Sequence, residues 1–247
     1  MCNLLPHHSP ETTTRRVFLT LLSGVLATSV ARAPAASVAL PTEVAGVVLP
    51  TTSLARSAAA LAREACPDFL FNHCMRTYVL GALSLREQHF DTEMAFVAAS
   101  LHDLGLLPAL ATARGSFEID GANRAEQLMH AAGRSPEQGR VVWNAIVMHD
   151  MRSDYSAHQS PEAQLVAAGA GADVVDPDGI DRKAVEEVVR AFPRLQFKTR
   201  FTALLVDHCR RKPASQIGWL DSLCRATAPA AQRGSVERAI AQAPYSE

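Results

Sequence analysis

Apolar residues recur at intervals of three or four along almost the whole chain from about Leu40 onward, as at Phe71, Met75, Tyr78 and Ala82. This spacing places them on one face of an α-helix, whereas the strict alternation that predicts β-strands is nearly absent. We therefore predict an all-α fold, a single helical bundle of about nine or ten helices.

Polar residues mark where several of these helices begin. Ser53, Asp91, Ser135 and Ser160 are N-cap candidates, because their side-chain oxygens can accept hydrogen bonds from free backbone N–H groups. Asp91 opens the segment DTEMAFVAASLHDLG, which we expect to end as a helix at Gly105. That segment is apolar on nearly all sides, so its helix is predicted to be central in the fold.

Composition narrows the class of partner. The chain has 247 residues, of which 48% are hydrophobic, and its formal net charge is −1. These values are typical of a globular protein. They provide no general positive field for nucleic acid or an anionic membrane, so we expect a small-molecule substrate and no nucleic acid.

Residues 1–39 have a pattern of their own. Arg15 and Arg16 precede an uncharged apolar run, and small residues follow it. The stretch TRRVFL at 14–19 resembles a bacterial twin-arginine export signal, which implies passage through the twin-arginine export machinery and cleavage. The alternative is an anchor helix, but the run is shorter than the ~20 residues of a membrane span. We expect residues 40–247 to be periplasmic or secreted, with no stable membrane insertion.

Four cysteines remain in that region: Cys66, Cys74, Cys209 and Cys224. An oxidising compartment would permit disulfides, yet no CxxC or metal-ribbon spacing is present. Because Cys74 and Cys209 lie in apolar helical patterns, we favour buried free thiols.

The adjacent His102 and Asp103 stand out within an apolar helix. Burying an ionised carboxylate is costly unless it is paired or bound to a metal ion. His73, His149 and Asp173 lie in similarly apolar surroundings on other predicted helices. Imidazole nitrogens together with carboxylate oxygens suit zinc, iron or manganese.

The order of these residues resembles a known pattern. His73, the doublet His102-Asp103 and the later Asp173 match the H…HD…D motif of the HD-domain superfamily, an all-α group of metal-dependent enzymes. The resemblance extends over roughly 58–206. It implies an HD-type catalytic domain at 40–247 in which these four residues bind one divalent metal ion.

The resemblance also narrows the reaction. LHDLGLLP and FEIDGANRA are similar to the cyanamide hydratase-like branch, whose characterised members add water to a small nitrile-type carbon with a single zinc. Leu106 stands where phosphohydrolase members often have Lys or His. We therefore expect one metal ion, zinc or else iron or manganese, and a small nitrile-like, cyanamide-like or amide-like substrate.

A catalytic acid is needed beside a metal-activated water. Our candidates are His149, Asp120 and Glu118. Two of them have an ordinary structural alternative: Asp120 could be an N-cap, and His149 could simply pair with the neighbouring Asp150. We place His208 near a turn or the surface and assign it no role.

Two other functions stay open at this point. One is an HD-type phosphohydrolase acting on a nucleotide or another phosphate ester, which would bind phosphate through arginines such as Arg76, Arg114 and Arg124. The other is a non-catalytic HD-fold domain that metal merely stabilises.

Overall fold

The computed structural model describes residues 39–113, 115–151, 155, 157–212, 220–226 and 240–245. The predicted export signal, 1–39, lies outside these residues apart from Ala39. Among the residues described, no helix combines the length and apolar character needed to cross a membrane.

The described part of the chain folds almost entirely into α-helices, as the spacing of apolar residues predicts. Its α-helices are α1 (Ser53–Ala65), α2 (Asp68–Ser84), α3 (Thr92–Leu101), α4 (Phe117–Ala131), α5 (Pro136–Val147), α6 (Pro161–Val174), α7 (Arg182–Ala191), α8 (Phe197–Arg211) and α9 (Leu220–Ala226). A 3₁₀ turn, Leu104–Leu106, lies between α3 and α4.

A short hairpin precedes the helices. Strand β1 (Glu43–Val44) pairs antiparallel with β2 (Val47–Val48), with Glu43 opposite Val48. The two turn residues, Ala45 and Gly46, both have positive φ, as a tight two-residue hairpin turn requires. With two residues in each strand, the hairpin is too short to show an alternating pattern in the sequence.

Most of the predicted helix starts are confirmed. The side chain of Asp91 accepts hydrogen bonds from two backbone N–H groups of α3, and Ser135 forms a capping box at α5. Ser160 likewise caps α6. The prediction for α1 was one residue late, since Thr52 and not Ser53 accepts the capping hydrogen bond.

Helix α3 is central, as predicted, because every residue from Met94 to Leu101 is buried. Its predicted end was wrong: the α-helix stops at Leu101, and Gly105 lies within the 3₁₀ turn. A Cβ atom at Gly105 would overlap the backbone of Phe117. Glycine is required there for close approach of the 3₁₀ turn to the start of α4.

Helices α2 and α6 pack antiparallel with their backbones in direct contact. A Cβ atom at Gly169 would overlap the carbonyl oxygen of Thr77, and one at Gly81 would overlap that of Leu165. These contacts fix the register of the two helices, and the same register places His73 beside Asp173.

The cysteine prediction was half wrong. Cys209 and Cys224 form a disulfide that joins α8 to α9, with their Cα atoms 4.7 Å apart. Cys66 and Cys74 are buried free thiols, as expected. Spacing along the chain could not reveal the disulfide, because the close approach of these cysteines comes from the packing of α9 on the end of α8.

Candidate metal centre

Three side chains from α2 and from the end of α3 converge in the core. His73 is on α2, His102 is the C-cap of α3, and Asp103 follows it at the start of the 3₁₀ turn. The two Nε2 atoms are 3.3 Å apart, and Asp103 Oδ2 is 3.3 Å from one and 3.4 Å from the other. All three residues are at most 2% exposed. Their ligand atoms are close enough to hold a metal ion.

The second nitrogen of each imidazole determines how the first one faces this group. His73 Nδ1 lies 2.7 Å from Asp173 Oδ2, and His102 Nδ1 lies 2.9 Å from the Ala99 carbonyl oxygen. Because both partners are acceptors, each Nδ1 carries a hydrogen, so in the neutral form of each ring Nε2 is an acceptor. Asp103 Oδ2 accepts no hydrogen bond within the described part of the chain. The three acceptor atoms therefore fit a cation among them.

The electrostatics of the metal-free protein indicate the same preference for positive charge. Burial lowers the pKa of His102 to about 3, so this imidazole is neutral. Burial also lowers the pKa of His73, but the carboxylates of Asp103 and Asp173 outweigh it and raise the pKa overall. Burial would raise the pKa of Asp103, yet the neighbouring imidazoles hold it below its usual range. Without a metal ion the group thus combines an ionised carboxylate, the neutral His102 ring and a His73 ring that favours its protonated form, and a bound metal cation would replace the proton on His73 Nε2.

The structure does not bring Asp173 into this group as the fourth ligand that the resemblance implies. Its Oδ1 accepts hydrogen bonds from Arg76 Nε and Arg194 Nη1, and its Oδ2 from Arg76 Nη2, all at 2.7 Å. Oδ2 also accepts the hydrogen bond from His73 Nδ1. With both oxygens engaged, Asp173 holds the His73 ring in place from the side opposite the group.

His149 lies against the other side of the group, just beyond the end of α5. Its Nδ1 is 2.5 Å from the Ile146 carbonyl oxygen, and its Nε2 is 3.7 Å from Asp103 Oδ1. Its ring centroid is 4.7 Å from that of His102. Burial lowers the pKa of His149 in spite of the Asp103 charge, so the ring is neutral.

Glu118 and Asp150 form a buried carboxyl pair near the same group. No ion pair with a basic side chain of the described residues compensates either carboxyl, and the hydrogen bonds from Ser116 to Glu118 and from the Leu220 backbone to Asp150 offset burial only in part. The two carboxyls are close enough to hydrogen-bond to each other when one of them is protonated. Burial raises the pKa of Glu118 to about 7 and that of Asp150 to about 9. Asp150 thus pairs with Glu118 and not with His149, which corrects the pairing we considered.

The structure places Asp120 in a different environment. Its carboxylate accepts hydrogen bonds from Lys212 Nζ at 2.7 Å and from the Thr112 backbone N–H at 2.8 Å. Burial would raise the pKa of Asp120, but these donors outweigh it and lower the pKa. Asp120 is not the N-cap of α4 either, since Ser116 is. An ionised, ion-paired carboxylate is unsuited to donating a proton, so the structure contradicts its candidacy as the catalytic acid.

His208, which we expected near a turn or the surface, is fully buried. Its ring packs edge-on against Phe117, with the centroids 5.7 Å apart. Lys212, four residues farther along, is also buried, and its ammonium group bonds to Asp120.

His73, His102 and Asp103 are called the metal-ligand group below, because they could hold an ion. A cavity of about 650 Å³ opens onto this group. His149 and Asp150 line it together with apolar side chains, and no Lys or Arg is among its described lining residues. Arg76 donates its hydrogen bonds to Asp173, and Arg124 donates one to Gln127 at the surface. Arg114, the third arginine considered for phosphate binding, lies outside the described residues.

Sequence reasoning missed two residues of the site. Arg76 follows His73 by one turn on α2, and this spacing could have identified it as a neighbour. Asp150 directly follows His149, but its partner Glu118 comes from another helix, so no local pattern indicated the pairing.

Comparison with known proteins adds no relative to this picture. The chain matches no protein-family model, and its sequence matches no curated protein.

Proposed function

We propose that this protein is a metal-dependent enzyme of the HD type that adds metal-activated water to an uncharged carbon of a nitrile-like, cyanamide-like or amide-like substrate. One observation carries the proposal. Two imidazole nitrogens and one carboxylate oxygen, on His73, His102 and Asp103, face one another in a buried group at the cavity wall.

These three residues would hold one divalent metal ion, zinc or else iron or manganese. Such an ion would supply a nucleophile at neutral pH, because it would lower the pKa of a bound water molecule toward ~7. Asp173 fixes the tautomer and orientation of His73 through the bond to Nδ1.

Water addition needs one group that accepts a proton from water and another that donates a proton to the substrate. His149 and Asp150 have the protonation states for these two roles. Neutral His149 has its Nδ1 hydrogen bonded to Ile146, so its free Nε2 can accept a proton from water. Asp150 is protonated at neutral pH and lines the cavity. It can therefore protonate the substrate nitrogen or oxygen as negative charge develops there, and Glu118 stabilises that protonation state.

The lining of the cavity favours an uncharged substrate over a phosphate ester. Proteins bind phosphate groups through Arg or Lys side chains or backbone N–H groups. None of the described lining residues is Arg or Lys, and the nearby Arg76 is already bonded to Asp173.

Paired variants test this proposal. We expect about one equivalent of metal in the wild type and in Asp150→Asn, but none in Asp103→Asn. Hydration of cyanamide and simple nitriles should be lost in Asp103→Asn and reduced about 10²- to 10⁴-fold in Asp150→Asn, which keeps its metal but lacks the acid. Metal-free wild-type protein, or turnover of phosphodiesters alone, would refute the proposal.

A further inference from the structure

The cavity extends well beyond the metal-ligand group. Seven residues of α6 and its C-cap line it, and among them Gln164, Ala167, Ala168, Gly171 and Val175 lie at positions i, i+3, i+4, i+7 and i+11, which share one face of the helix. From the first to the last of these residues, the helical rise gives a length of about 16 Å.

The antiparallel packing of α2 and α6 identifies the two ends of this cavity. At one end, the last residues of α6 lie beside His73. At the other end, Ser84 and Gln88 line the cavity just where α2 finishes, close to the start of α6. Both of these polar residues are exposed, and Val175 at the other end of the α6 face is exposed as well.

Between its ends the cavity is almost entirely apolar. Apart from the metal-ligand group, its described lining has polar side chains only at Ser84, Gln88, His149, Asp150 and Gln164. Pockets of 300–1,000 Å³ hold drug-sized ligands. A substrate with three non-hydrogen atoms, such as cyanamide, would leave most of the 650 Å³ empty and most of the apolar wall without contact.

We infer that the substrate is an uncharged molecule with an extended hydrocarbon chain. Its reactive head group lies at the metal-ligand group, and its chain lies along the α6 face toward Ser84 and Gln88. The nature of the head group rests on the proposed function, whereas the chain is inferred from the cavity.

Two positions on α6 determine how far a chain can extend. A Cβ atom at Gly171 would meet nothing within 4 Å, so a larger side chain there has free space to enter. Ala168 lines the cavity about one turn farther from the metal-ligand group. Leucine at either position would shorten the cavity, and at Gly171 it would do so nearer the head group.

Straight-chain nitriles of three to twelve carbons, titrated calorimetrically into the metal-loaded protein, test the inference. We expect the affinity to rise about fourfold per methylene until the cavity is filled, because each buried methylene adds a similar hydrophobic contribution. Affinity that does not depend on chain length, or that is highest for the shortest nitriles, would overturn the inference.

Variants then localise the chain. Ala168→Leu should cap the gain in affinity at a shorter chain than in the wild type, and Gly171→Leu at a still shorter one. Ala131→Leu, at an exposed position in the last turn of α4, is the matched control and should bind the whole series like the wild type. If the two α6 variants also bind like the wild type, the chain does not occupy this cavity and the inference is wrong.

Binding and turnover separate this inference from the proposed function. If long nitriles bind with the expected chain-length dependence but are never hydrated, the proposed reaction fails and the ligand class stands. If the enzyme hydrates cyanamide while long nitriles neither bind nor inhibit, the reaction stands and the inferred substrate class fails.

Discussion

The Asp173 carboxylate orients one member of the metal-ligand group, His73, without belonging to that group itself. A carboxylate at 0% exposure requires full compensation. The bidentate hydrogen bonds from Arg76 and the bond from Arg194 provide it. Because these arginines fix the carboxylate, the carboxylate in turn fixes His73. The orientation of the first imidazole is therefore set by charges on the far side of the ring.

Glu118 and Asp150 make stability depend on pH in a predictable direction. Burial raises the pKa of Glu118 to about 7 from a reference value of 4.5, so its favourable contribution is complete below about pH 4.5 and is lost as pH rises through 7. Asp150 extends the loss toward pH 9. In the metal-free protein the neutral, buried His102 and His149 contribute in the opposite direction, so the effect is taken as the difference between the wild type and a Glu118 variant. We expect the contribution of Glu118 to the unfolding free energy to fall by on the order of 3 kcal/mol from pH 5 to pH 8.

Urea denaturation across this pH range measures the effect. Glu118→Gln should flatten the profile, because the amide has no charge to bury and can donate a hydrogen bond to Asp150. Glu137→Gln, which alters an exposed carboxylate in the first turn of α5, is the control and should reproduce the wild-type profile. A Glu118→Gln profile as steep as that of the wild type would show that the pair does not titrate as described.

At the scale of the elements, the close contact between α2 and α6 requires glycine at position 169 but not at position 171. A Cβ atom at Gly169 would overlap the carbonyl oxygen of Thr77, whereas one at Gly171, two residues later on the same helix, would meet nothing within 4 Å. Gly169→Ala should therefore destabilise the protein by roughly 1–3 kcal/mol or more. Gly171→Ala should stabilise it by roughly 0.5–1 kcal/mol, through helix propensity alone.

The two alanine variants are matched in chemistry and helix, so the opposite signs of their effects isolate the interhelical contact. Thermal or urea unfolding would measure both. Equal effects of the two substitutions would contradict the close packing of α2 on α6. Gly139→Ala, where a Cβ atom also meets nothing within 4 Å, provides a second reference for helix propensity on α5.

The sequence revealed those parts of the structure that depend on a single helix. His73 and the His102-Asp103 doublet could be selected because polar residues in apolar helices need partners, and the structure brings them together. Arg194 lies in the connection between α7 and α8, where no periodic pattern indicates its direction. Asp150 lies beyond the last turn of α5, and only tertiary packing places it beside Glu118.

At the scale of the whole molecule, the cavity wall and the disulfide belong to the same part of the fold. Phe201 and Leu205 of α8, and Leu220 of α9, line the cavity. The disulfide between Cys209 and Cys224 joins these two helices just beyond those residues. Disulfides persist in oxidising compartments, and the export signal predicted at residues 14–19 would deliver the protein to such a compartment.

Removal of this disulfide should loosen the wall formed by α8 and α9. A cross-link that closes a loop of 15 residues stabilises a protein by about 3 kcal/mol in the chain-entropy treatment. We expect the Cys209→Ser, Cys224→Ser double variant to lose stability by about that amount in urea denaturation. Reductant supplies the internal control, because it should lower wild-type stability to the level of the double variant and leave the variant itself unchanged. A wild-type protein whose stability does not respond to reductant would show that the two cysteines are not joined.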